Sequence, residues 1–219
     1  MNSKIVLASL LVIVFSCKNN PSTIETDEFT ISEKIAKASG IDHWGNVNSI
    51  QFTFNVDRAD SHFERSWKWN PKTDDVIMMT KTDTVSYNRS TLDSISTRAD
   101  KGFINDKFWL LAPFNLVWDK GTTITYEDSV KVNLSDNILN KATTVYGSEG
   151  GYTPGDAYDF YYDDNYMVRE WVFRKGNQEE PSMITTWEDY EDFNGIKIAR
   201  THMGKDNSVK LYFTNIKVE

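Results

Sequence analysis

From Ile50 onward, apolar and polar residues alternate along most of the chain. Ile50, Phe52, Phe54 and Val56 are separated by Gln, Thr and Asn, and Phe63, Arg65, Trp67 and Trp69 keep the same two-residue period. A period of two puts alternate side chains on one face of a strand. The same rhythm predicts strands over 76–79, 84–87, 122–126, 129–134, 142–146, 158–162, 168–174, 183–190, 196–201 and 209–218. Two stretches depart from it. Residues 30–40 set Ile31, Ile35 and Ala38 on one stripe, which predicts a short helix lying with one face against a sheet. Thr30 or Ser32 supplies its N-cap and Gly40 its left-handed stop. Residues 92–111 lose the alternation, and 100–111 read as helical turns that Pro113 ends.

The connections are short. Asp163-Asp164-Asn165, Asn194-Gly195 and Gly204-Lys-Asp-Asn207 are residue types that tolerate positive φ, and tight turns of this kind join antiparallel neighbours. Gly150-Gly-Tyr-Thr-Pro-Gly155 makes an irregular approach to an aromatic strand, as expected of a bulge or sheet corner. The predicted fold is therefore mainly β. It is a curled antiparallel sheet or incomplete β-barrel of about ten strands with one or two short helices. There is no internal repeat and no break in composition, so residues 30–219 are expected to form a single β-rich domain.

The first residues follow a different logic. Lys4, an apolar run over 5–15 and the small residue Ser16 precede Cys17, the only cysteine. A basic start, an apolar segment too short to span a bilayer and a small-residue cut site are the parts of a signal peptide. Val14-Phe15-Ser16-Cys17 resembles a lipobox. Residues 1–16 are thus expected to be a lipoprotein signal peptide, with Cys17 the lipidation site and 17–29 a polar tether. Acyl chains on Cys17 would then be the attachment to the membrane. The whole chain carries a formal charge of −8, and the leader holds one basic and no acidic residue. Such a chain is a poor partner for nucleic acid or an anionic bilayer surface, since both select positive charge. With Cys17 acylated, no thiol remains for a disulfide or a cysteine metal site.

Catalytic and metal-binding patterns are sparse. His43, His62 and His202 share no metal-ligand spacing, so no metal or other cofactor is expected. Glu170 beside Trp171 and Glu188 beside Trp187 raise the possibility of a glycosidase-like carboxylate pair. Neighbours along a strand point to opposite faces, however, so Trp inward and Glu outward is the simpler expectation. Asp156, Asp159, Asp163 and Asp164 cluster near turns but do not match a calcium loop.

Aromatic residues make up 13% of the chain, including seven Trp, which suits a half-buried pleated surface. Trp67 and Trp69 share a strand face. With Trp109, Phe114, Trp118, Trp171 and Trp187 they offer enough aromatic surface to line an apolar cavity. The order of lipobox, short helix, Trp-x-Trp strand, Asn105-Asp-Lys-Phe-Trp109-Leu-Leu-Ala-Pro113-Phe114 and Gly150-Gly-Tyr-Thr-Pro-Gly155 resembles a family of Bacteroidetes lipoproteins. Those proteins are similar to the LolA/LolB superfamily. The resemblance implies an incomplete antiparallel barrel closed by helices over an apolar cavity. It also implies a non-enzymatic function: an anchored outer-membrane lipoprotein that binds lipid or acylated ligands. An envelope hydrolase using paired carboxylates, and an interaction module with no ligand, are the alternatives.

Overall fold

The computed structural model describes residues 28–149 and 153–219. The leader, Cys17, most of the tether and residues 150–152 lie outside the described residues. The first helix, α1 (Ile31–Ala38), forms where the spacing predicts it. Its capping box is complete: Thr30 Oγ1 accepts from the Glu33 amide at 3.2 Å, and Glu33 Oε2 accepts from the Thr30 amide at 2.7 Å. Gly40, at φ +93°, stops it. A β carbon on Gly40 would fall 1.9 Å from the Gly195 carbonyl oxygen, so this position also fixes how closely the helix end approaches the sheet.

Twelve strands follow: β1 (Ile50–Arg58), β2 (Ser61–Asn70), β3 (Asp75–Met79), β4 (Thr84–Asn88), β5 (Thr122–Lys131), β6 (Ile138–Tyr146), β7 (Ala157–Tyr162), β8 (Val168–Arg174), β9 (Met183–Thr186), β10 (Glu188–Phe193), β11 (Ile196–Met203) and β12 (Lys210–Val218). They make two antiparallel sheets. One has the order β10-β11-β12-β1-β2-β3-β4, the other β5-β6-β7-β8-β9. A bridge between Thr185 and Gly204 stitches them together, and they do not close into a barrel.

Two boundaries differ from the pattern-based expectation. The single strand expected over 183–190 is two strands, because the chain leaves the five-stranded sheet and enters the seven-stranded one at Trp187. The two strands expected over 122–134 are one, β5, with an irregularity between Glu127 and Val130 where Ser129 takes φ +57°. The bulge in β5 shifts the alternation by one residue, since Glu127 faces Lys141 and Val130 faces Leu139.

Between β4 and β5 runs α2 (Ser94–Trp118). Asp93 caps it, accepting from the amides of Ile95 at 3.0 Å and Ser96 at 2.8 Å. Pro113 does not end it. Leu111 leaves helical geometry at φ −131°, ψ 22°, so Pro113 falls in the first turn of a second segment, where a missing N–H costs nothing. The residues around that kink, Trp109 to Leu116, are buried on every side. A helix with no solvent face must lie inside the molecule, and α2 packs against both sheets. Phe103 meets Trp67 and Trp69 at 5.4 and 5.3 Å between ring centroids, while Phe108 meets Tyr158 at 5.1 Å.

Candidate functional site: the aromatic interior

Alternation places Arg65, Trp67 and Trp69 of β2 on the inner face beside Phe52 and Phe54 of β1. On the other sheet the inner row runs Ala142, Phe160, Trp171, Thr185. Trp67, Trp69, Trp109, Phe114, Trp171 and Trp187 are all buried in one continuous core. Trp109 is the link across it. Its ring lies 4.5 Å from Trp171 on one sheet and 5.3 Å from His202 on the other. Phe114 and Trp69 extend the wall outward through Trp44 and Trp118, which are half-buried. The six aromatic side chains thus share one core, in which α2 side chains, Trp109 and Phe114 among them, fill the space between the sheets.

The interior also holds an ion pair. Asp106 of α2, fully buried, accepts from Arg65 Nε and Nη2, both at 2.9 Å, from Trp67 Nε1 at 2.8 Å and from Asn105 Nδ2 at 3.0 Å. Burial lifts its carboxyl above the ordinary aspartate value, with the Arg65, Asn105 and Trp67 donors pulling the other way. Asp100, one and a half turns earlier, accepts from Arg89 Nε at 2.9 Å. Two bonded carboxylates thus fasten α2 to the seven-stranded sheet, whereas Phe108 meets aromatic rings, Tyr158 and Trp171, on the five-stranded one. The signal for this pair was Arg65 itself, a cation at an inward position that demands a buried anion.

His202 is the interior residue that the pattern left unplaced. It is fully buried between Trp187 at 4.4 Å, Trp109 and Phe213. Burial pushes its imidazole down to about 3, against a small opposing pull from the Thr186 backbone, so the ring is neutral at any ordinary pH. His43 is exposed against Gly195. His62 is exposed and pairs with Asp57 at 2.6 Å and Glu64 at 3.4 Å, which raises its pKa.

The carboxylates named from sequence have other duties. Glu170 does point away from Trp171, but it is buried rather than solvated. The β5–β6 connection folds over it, and its oxygens accept from the Asn133 amide at 2.7 Å, Asn133 Nδ2 at 2.8 Å and the Leu134 amide at 2.9 Å. Glu188 is exposed, and both acids line a groove of about 480 Å³ that also includes Val132, Leu139 and Trp187. Asp159 is held by Thr143 and Arg174, Asp163 by Arg169, and Asp156 accepts from the Gly176 amide. No cluster suited to a metal ion occurs among the described residues. Nor is any helix among them long and apolar enough to cross a membrane.

The sequence matches no protein-family model and no curated protein. Solved structures are similar in fold. A LolA superfamily protein from Nitrosomonas europaea aligns at 8% identity over 87% of this chain and 94% of its own, with a TM-score of 0.51. A DUF1329 family protein from Desulfovibrio piger aligns at 7% identity over 86% and 93%, with a TM-score of 0.47. An outer membrane lipoprotein-sorting protein domain from Vibrio parahaemolyticus aligns at 11% identity over 86% and 93%, with a TM-score of 0.46. The chain has a LolA-like fold: two open antiparallel sheets around a buried helix.

Proposed function

We propose that this protein is an envelope lipoprotein, anchored through acyl chains on Cys17, that binds lipid or acylated ligands without catalysing a reaction. The observation that carries the reading is the aromatic interior. Trp67, Trp69, Trp171 and Trp187 flank α2, which adds Trp109 and Phe114 from its own kinked, buried stretch. An acyl chain suits such walls, which offer large apolar area and few polar groups. It enters by displacing α2 side chains at the aromatic contact with the five-stranded sheet, while Arg65 and Arg89 keep the helix on the seven-stranded one. The LolA-like fold is consistent with this but is fold evidence alone.

Catalysis by Glu170 fits poorly. Both of its oxygens are taken up by Asn133 and Leu134 beneath the β5–β6 connection, which leaves neither free to meet a substrate. A second reading rests on the packing itself. With all six aromatic groups buried against one another, the interior equally suits a lipoprotein that binds no lipid and acts through its surface. Native mass spectrometry of the full chain carrying Cys17→Ser separates the two. A reproducible mass surplus that organic extraction returns as lipid supports the ligand-binding reading. A clean mass, with no uptake of added phospholipid, favours the surface reading.

A further inference from the structure

Four buried side chains around the seam between the sheets have polar atoms that bond to nothing among the described residues. They are Trp171 Nε1, Trp187 Nε1, Thr185 Oγ1 and a ring nitrogen of His202, whose other nitrogen faces the Thr186 backbone. All four residues are at least nine-tenths buried. They also belong together. Trp187 and His202 are in ring contact, Trp109 touches both His202 and Trp171, and Thr185 stands directly opposite Trp171 in the ladder. Buried polar atoms are nearly always bonded, because leaving one bare forfeits its bonds to water. On β2, Trp67 Nε1 is satisfied by Asp106, whereas Trp69 Nε1 is bare as well.

We propose that this cluster receives the carbonyl of an acyl ester or amide, so that the protein distinguishes acylated ligands from plain hydrocarbon. The inference rests on the lipid-binding reading above and names its ligand class. Indole N–H groups only donate, and the Thr185 hydroxyl adds a further donor, so the set suits an oxygen acceptor. The set is also uncharged. A free carboxylate or phosphate there would lose its hydration with no opposite charge in return, whereas an ester or amide oxygen needs only the donors. Trp187 also forms part of the wall of the 480 Å³ groove, which leaves the cluster one side chain away from an open approach.

The test is displacement of the apolar fluorophore N-phenyl-1-naphthylamine from the full chain carrying Cys17→Ser. The competitors are dodecane, methyl dodecanoate and dodecanoate. The ester is expected to displace the dye at about tenfold lower concentration than dodecane, the worth of one or two hydrogen bonds, and dodecanoate to be weaker than the ester. His202→Phe and Thr185→Val remove polar atoms while keeping bulk, and each should narrow the ester preference with dodecane displacement unchanged. Should His202→Phe fail to fold, as judged by near-ultraviolet circular dichroism, Thr185→Val carries the comparison. Equal displacement by ester and dodecane, or a preference that survives in the folded variants, overturns the proposal and leaves the lipid-binding reading standing. If neither the dye nor any competitor binds, both fall.

Discussion

Single side chains in this protein are set by whether burial is matched by a partner. Asp106 and His202 are the two extremes. Arg65 makes a two-pronged bond to Asp106 that a lysine does not reproduce. Arg65→Ala leaves a buried carboxylate without its counter-charge and is expected to cost about 3–5 kcal/mol in urea unfolding, with Arg65→Lys recovering only part of it. His202 makes pH the lever. Its folded value is about 3, against about 6.5 for an unfolded histidine. Between the two the unfolded chain holds the extra proton, so stability falls as pH drops below about 6.5, by at most about 1.4 kcal/mol per pH unit from this residue. Asp106, with its raised carboxyl, acts in the opposite sense in acid. Subtracting the His202→Phe profile isolates the histidine. The native chain should lose urea midpoint between pH 6.5 and 4 more steeply than that variant, and parallel profiles would refute the assignment. Of these residues the sequence announces Arg65, placed inward by strict alternation. His202 is silent because its neighbours Trp109 and Trp187 come from distant parts of the chain.

Among the elements, α1 and the strand faces were readable and the cuts between strands were not. Thr30, Glu33 and Gly40 are local signals, and the helix begins and ends on them. Thr30→Ala is therefore expected to cost about 1 kcal/mol, measured as a shift in thermal midpoint. Gly40→Ala should cost more, because the backbone at φ +93° already carries about 1–3 kcal/mol of strain for a residue with a side chain and the added methyl meets Gly195. At Trp187 the two-residue period slips, since exposed Asp189 at φ +54° follows and Tyr190 is the next inward residue, but the slip does not say which sheet each half joins. The decision is tertiary: β9 pairs with β8, and β10 with β11. Pro113 misleads for a similar reason. A proline reports only that its own N–H is missing, and the kink two residues earlier makes that loss harmless. Alternation gives Glu170 its face but not its environment, since it does not reveal that the β5–β6 connection folds over the outside of the sheet.

For the molecule as a whole, net charge and attachment pull apart. A chain of charge −8 is repelled by anionic bilayers, so under the proposed anchoring acyl chains at Cys17 would have to supply all the affinity. The natural protein is expected to sediment with phosphatidylglycerol vesicles at any salt concentration, and the Cys17→Ser form to stay in solution at low salt. Sedimentation of that variant would place the membrane contact elsewhere. The strand order has a further consequence, this one in time. The middle of the seven-stranded sheet is β1, and its two neighbours are β2, which follows at once, and β12, which is made some 150 residues later. Until β12 arrives, β1 keeps an unpaired edge and the sheet is open at its centre rather than at its rim. Pairing across so long a stretch of chain folds slowly. The seven-stranded sheet therefore cannot close at its centre until the chain through Val218 is present to pair with β1.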